Sequence, residues 1–120
     1  MSKLLKIGIV GCGAIGSSLA KTVVRDMSAT AKLEALHDLD REKAQTLSLR
    51  LTGKKILVVN SLNQLINKSD LVIEAAHANC SLDIARKTIQ RGKDVMIMSV
   101  GGIVNGFPAL VKSSQKANTR

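Results

Sequence analysis

The chain has 120 residues, 45% of them apolar, and carries a formal charge of +9 at pH 7. That is room for one domain with one packed core, and it excludes a disordered segment or a membrane span, since no apolar run approaches about 18–20 residues. The basic balance invites a nucleic-acid reading, but the lysines and arginines are dispersed and Phe107 is the only aromatic, so neither a charge block nor a base-stacking platform exists, and a solvated basic surface that attracts a small anion is expected instead.

Leu4 to Val10 is a short β-rich run that ends at Gly11. A helix is predicted from Ala14 to about Asp26, with Ile15, Leu19, Val23 and Met27 recurring every four residues as its apolar face. Leu33 to His37 reads as the second strand, ending at Asp38. Asp40 is placed to cap the next helix, with Glu42 in its first turn and Gly53 to stop it in the left-handed conformation. Ala44, Leu47 and Leu51 face inward. Lys55 to Asn60 reads as the third strand, and Leu62, Leu65 and Ile66 as a short helix. Asp70 to Ala76 is the fourth strand. Asn79 or Ser81 is placed to cap a helix closed by Gly92, Asp94 to Ser99 is the fifth strand, and Pro108 opens a last short helix ending among Lys112 to Lys116. Residues 1–112 are thus expected to form one domain and 113–120 a polar, frayed tail. Strands alternating with helices predict an α/β doubly wound parallel sheet of the Rossmann type, with helices on both faces.

The stretch Gly11-Cys12-Gly13-Ala14-Ile15-Gly16 fits G-x-G-x-x-G. Alone the pattern is weak, but here it follows a strand and opens a helix, which is where a glycine loop binds a pyrophosphate. Gly11 permits the tight turn, Gly13 lets the phosphates approach the backbone, and Gly16 brings the helix close to the strand. The free N–H groups at the helix start supply the anion contacts. Asp38 lies 22 residues beyond Gly16, near the separation of about 20 at which an acid receives the adenosine ribose hydroxyls. Asp38, with Leu39 beside it, favours NAD because its charge repels a 2′-phosphate; Arg41 is placed to pair with that phosphate, so NADP remains open. A turn or capping role for Asp38 is the plainer alternative.

Two cysteines, Cys12 and Cys80, have no metal-type spacing, and no metal site is expected. Cys12 reads as a small filler, and Cys80, near a helix start, as structural. Without a leader-like opening or a cysteine framework, a reducing, cytoplasmic setting is the default.

The second half carries a more specific pattern. Asp70-Leu-Val-Ile-Glu-Ala-Ala-His77 and Gly92-Lys-Asp-Val-Met-Ile-Met-Ser-Val-Gly101 resemble the L-aspartate dehydrogenase family. Glu74-Ala75-Ala76 and Ser99-Val100-Gly101 carry the match, which covers most of residues 6–105. More distant relatives with this frame include homoserine dehydrogenases. The resemblance implies oxidation of L-aspartate with NAD or NADP to iminoaspartate, which yields oxaloacetate and ammonia. It implies that Ala75, Ala76 and His77, and likewise Ser99, Val100 and Gly101, lie beside the cofactor's ribose and nicotinamide. Their place at the carboxyl ends of strands four and five leads to the same expectation from the sheet.

Family members often carry Ser-Pro or Gly after the alanine pair, where this chain has His77-Ala78. The resemblance further implies an α+β domain that supplies the catalytic histidine, substrate contacts and much of a dimer interface, and this domain is expected beyond Arg120. No catalytic residue is therefore assigned here, the 120 residues alone are expected to be inactive, and completion by a missing catalytic domain or chain, or by a homodimer, stays open. A stand-alone dinucleotide-binding or redox-sensing module, and a homoserine-dehydrogenase-like oxidoreductase, are the alternatives. A methyltransferase is disfavoured by Gly16 and by the Ser-Val-Gly-Gly after the fifth strand.

Overall fold

The computed structural model describes residues 3–120. Four parallel strands, β1 (Leu5–Val10), β2 (Ala31–His37), β3 (Leu71–Glu74) and β4 (Asp94–Ile97), form one sheet in the order β2-β1-β3-β4. The helices are α1 (Ala14–Asp26), α2 (Arg41–Thr52), α3 (Leu62–Lys68), α4 (Ala78–Gln90) and α5 (Phe107–Ala117), with a 3-10 turn at Val100–Gly102. The chain reverses its direction of progress across the sheet between β1 and β3. Ligands of doubly wound sheets sit at such a reversal, beyond the carboxyl ends of the strands.

Strand periodicity divides the core. On one face Ile7, Ile9 and Ile73 pack with Ala20, Val23 and Leu47 of α1 and α2; on the other, Val10 and Val72 pack with Leu65, Ile66 and Ile84 of α3 and α4. Gly8 allows α3 to sit on the sheet, since a Cβ there would lie 2.2 Å from Ser69 Oγ and 2.8 Å from Leu65. A third cluster, Ala85, Ile89, Ile103 and Leu110, binds α5 to α4.

The predicted third strand is reduced to one parallel bridge, Leu36 to Val58. Leu36 N–H donates to Leu57 O (2.7 Å) and Val59 N–H to Leu36 O (3.0 Å). The buried Ser48 explains the shortening. Its hydroxyl donates to Lys54 O (2.6 Å) and accepts from Leu57 N–H (3.3 Å), the donor that the next rung of the ladder would use, while Val58 N–H takes that rung's acceptor, Lys55 O (3.3 Å).

Three further expectations change. The inward face of α1 is Gly16, Ala20 and Val23, with Leu19 and Met27 partly buried against the core, while Ile15 is 55% exposed. The helix must turn Gly16, the only residue there without a side chain, toward the glycine loop, and this swings Ile15 outward. His77, not Asn79 or Ser81, holds the N-cap position of α4; its side chain makes no cap bond, and Ser81 Oγ donates to His77 O (3.2 Å) from within the helix. Residues 113–117 are helical rather than frayed, and Asn118 ends α5 at a φ of 55°. Arg120 then lies along β4: Val95 N–H donates to Arg120 O (2.8 Å) and Arg120 N–H to Asp94 Oδ1 (2.9 Å). The caps at Asp40 and Gly53 form as expected.

No helix among the described residues is long and apolar enough to cross a membrane.

Candidate functional site

The loop from Gly11 to Gly16 leaves β1 at the switch in strand order, and each of its glycines has a different neighbourhood. Gly11 has a φ of +98°, and a Cβ there would lie 2.5 Å from the Ala75 carbonyl. Its N–H donates to His37 O (2.8 Å), binding the loop to β2. A Cβ on Gly16 would lie 1.8 Å from Gly11 O. Gly13 differs from both. It is the N-cap residue of α1 with a φ of −79°, which any residue adopts, and a Cβ there would meet nothing within 4 Å. No side chain caps this helix, so the first-turn N–H groups, Ala14 and Ile15 among them, face outward without an intrahelical partner.

Asp38 is tied to the same loop. Its Oδ2 accepts from Cys12 N–H (2.8 Å) and its Oδ1 from Asp40 N–H (2.8 Å). The carboxylate therefore clamps the loop and shapes the turn into α2, and both roles leave lone pairs directed elsewhere. Leu39 beside it is 87% exposed. Arg41 donates to Asn60 Oδ1 (2.5 Å), which ties it to the end of the bridge segment.

A cavity of about 480 Å³ opens between these elements and the carboxyl end of β3. Gly11, Gly13, Asp38 and Leu39 form one wall, and Ala75, Ala76 and His77 the other. Lys43, not singled out from the sequence, also lines it, and so does the half-buried Cys80. Arg41, Ala14 and Ile15 lie outside its lining, as do Ser99, Val100 and Gly101. Ser99 is joined to the β3 end by Glu74, a fully buried carboxyl group that sequence reasoning used only as part of a pattern. The signal was present: an acid that closes a buried apolar strand must be hydrogen-bonded.

Among the described residues no cluster suited to a metal ion is found. Cys12 is buried, and burial, with the Asp38 carboxylate beside it, pushes its thiol up to about 12. A thiol that titrates there is essentially all protonated at neutral pH and is a poor nucleophile. Iodoacetamide on the native protein near pH 8 is therefore expected to label Cys80 and spare Cys12 until denaturant is added. Peptide mass spectrometry reads the order, and early labelling of Cys12 would show that the loop opens readily.

Residues 11–120 match the family model described as homoserine dehydrogenase, NAD binding domain. The chain is 46% identical over 103 residues to the L-aspartate dehydrogenase of Methanocaldococcus jannaschii, an alignment covering 85% of this chain and 38% of that protein. It is 39% identical over 116 residues to the L-aspartate dehydrogenase of Methanococcus maripaludis, covering 94% and 42%. The chain thus spans about two fifths of the length of these curated relatives. Among solved structures, the WlbA dehydrogenase of Bordetella pertussis, in complex with NADH and UDP-GlcNAcA, superposes with a TM-score of 0.84 at 20% identity, over 98% of this chain and 36% of that one. A putative homoserine dehydrogenase of Archaeoglobus fulgidus gives 0.75 at 23%, over 98% and 41%. At such identities the structures establish the fold alone.

Proposed function

The chain belongs to the family of homoserine dehydrogenase NAD-binding domains, and from that premise we propose that it is the cofactor-binding part of an L-aspartate-dehydrogenase-like oxidoreductase that uses NAD or NADP. The observation that carries the proposal is Gly13. Gly11 and Gly16 are glycines because backbone lies where their Cβ atoms would be. Nothing among the described residues requires a glycine at 13, so we read the space as kept for a ligand that lies against the backbone.

In this reading the Gly11–Gly16 loop and the first turn of α1 at Ala14 and Ile15 hold the pyrophosphate. Asp38 and Leu39 hold the adenosine ribose, with Arg41 near it. Ala75, Ala76 and His77, with Ser99, Val100 and Gly101, flank the nicotinamide and its ribose. When bound, the nicotinamide supplies a two-electron oxidant. The chain's own residues bind and orient it: N–H groups and the helix dipole meet the phosphates, and the Asp38 carboxylate accepts from hydroxyls. The reaction proposed is oxidation of L-aspartate to iminoaspartate, and residues that touch the substrate are assigned to a further catalytic domain or to a partner chain. Two free cysteines fit a reducing, cytoplasmic setting.

His77 is exposed beside Ala76 and makes no cap bond, and we assign it to cofactor contact rather than proton transfer. His77→Asn, tested by NADH titration, is expected to change affinity by less than about tenfold, the loss of one neutral hydrogen bond.

The test of the function is direct. NADH titration of the 120-residue chain, followed by nicotinamide fluorescence, is expected to saturate at one site. The same protein given L-aspartate and NAD or NADP, with homoserine as the second substrate, is expected to produce no reduced cofactor. Turnover needs the substrate held within about 3–3.5 Å of the reacting carbon, and the groups that would hold it there are assigned to the further domain or partner chain. Substrate-dependent turnover by the chain alone would relocate the active site into these residues, and failure to bind NADH would remove the reading.

A further inference from the structure

Glu74 ends β3 behind Leu71, Val72 and Ile73 and is 0% exposed. Its carboxylate spends its acceptors on two different loops. Oε2 accepts from Ala76 N–H (2.7 Å) and from Ser99 Oγ (3.0 Å), and Oε1 accepts from Ser99 N–H (3.0 Å). Its main-chain carbonyl accepts from Met98 N–H (3.0 Å). The two loops meet again farther out, where Gly102 lies so close to α4 that a Cβ would be 1.8 Å from Ala78 O. The segments leaving β3 and β4 are therefore one body, latched at Glu74 and at the Gly102–Ala78 contact. A buried carboxylate in a sheet of Val and Ile is a costly way to close a strand unless the groups it holds must stay in place.

We propose that Glu74 is a positioning residue for the nicotinamide half of the dinucleotide, holding Ala76 and Ser99 at a fixed separation so that both reach the same ligand. The inference rests on the reading that the cofactor lies across the carboxyl ends of the strands. The adenosine and pyrophosphate half hangs on other hydrogen bonds, although Gly11 packs against the Ala75–Ala76 peptide. Gly11 N–H is held by His37 O and Cys12 N–H by Asp38, and neither bond passes through Glu74. Loss of the strut should thus be felt at one end of the ligand only.

The experiment compares NADH with ADP-ribose, which lacks the nicotinamide, on wild-type protein and two variants. Glu74→Gln is nearly isosteric. Whichever way its amide lies, an NH₂ faces a backbone N–H, of Ala76 or of Ser99, and that contact is lost. Expected are a weakening of NADH of about tenfold, ADP-ribose unchanged within about twofold, and a fall in the fluorescence anisotropy of bound nicotinamide. Ser99→Ala removes the hydroxyl that donates to Glu74 Oε2 (3.0 Å) and lies 3.4 Å from Ala76 O, and is expected to show the same split at about threefold. If circular dichroism shows Glu74→Gln unfolded, Glu74→Asp, which keeps the charge but withdraws it by one methylene, takes its place with the same expected split. Parallel weakening of both ligands, or no change in either, overturns the positioning role and leaves dinucleotide binding intact. Wild-type protein that binds neither ligand overturns the dinucleotide reading itself.

Discussion

Gly13→Val is expected to abolish dinucleotide binding in a protein that still folds, whereas Gly16→Ala is expected to damage the fold as well. The two glycines are three residues apart in one loop, and the difference lies in what surrounds them. At Gly13 a side chain enters open space, so the cost to the protein is only that of a poorer cap, about 1 kcal/mol or less. In the bound state the same isopropyl group occupies the approach to the helix N–H groups. Two or more charge-assisted hydrogen bonds are then lost, at about 1.5–3 kcal/mol each, for a fall in affinity of at least about a hundredfold. At Gly16 the added Cβ would sit 1.8 Å from Gly11 O. That neighbour is backbone, held by the Gly11 bond to His37 O and by contact with Ala75, so it cannot rotate away. The loop or α1 must move, at about 3 kcal/mol or more. Urea unfolding and NADH titration of both variants separate the cases. A folded Gly13→Val protein with undiminished affinity would mean that the ligand lies elsewhere.

Asp38→Ala is expected to weaken NAD by about ten- to a hundredfold and NADP by less. The first effect has two sources. Charged hydrogen bonds to the ribose are lost, at about 1.5–3 kcal/mol. The clamp on Cys12 N–H and Asp40 N–H is lost as well, which loosens the loop for either cofactor. The second effect arises because removing a negative charge relieves its repulsion of the 2′-phosphate. Arg41 is committed to Asn60, so its pairing with that phosphate requires the bond to open. Lys43 already lines the cavity, and Lys43→Ala is therefore expected to reduce NADP affinity more than Arg41→Ala. Equal weakening of both cofactors by Asp38→Ala, in parallel fluorescence titrations, would reduce Asp38 to a turn residue.

The elements whose cause is local were legible in the sequence. The glycine loop after a short apolar strand, the Asp40 cap, the left-handed stops at Gly53 and Gly92 and the strand carrying Leu71, Val72 and Ile73 all appear where spacing and residue type put them. Each depends on residues a few positions apart, and the backbone conformations they require are available to few side chains. The separation of Asp38 from the loop was legible for a related reason, since one βαβ unit has a nearly constant length.

What only the tertiary structure decided depends on partners far along the chain. The third strand is reduced to a bridge where Ser48, nine residues before Leu57, takes the Leu57 N–H that the next rung would use. The outward turn of Ile15 follows from the contact of Gly16 with Gly11, which a four-residue repeat of apolar side chains does not encode. Glu74 reads from its own neighbourhood as an acid ending a strand, yet its role is set by Ser99, 25 residues on. Periodicity reports which face of an element is apolar. It does not report which buried polar group meets which orphan N–H, because that pairing is chosen by desolvation only after the sheet has brought the loops together.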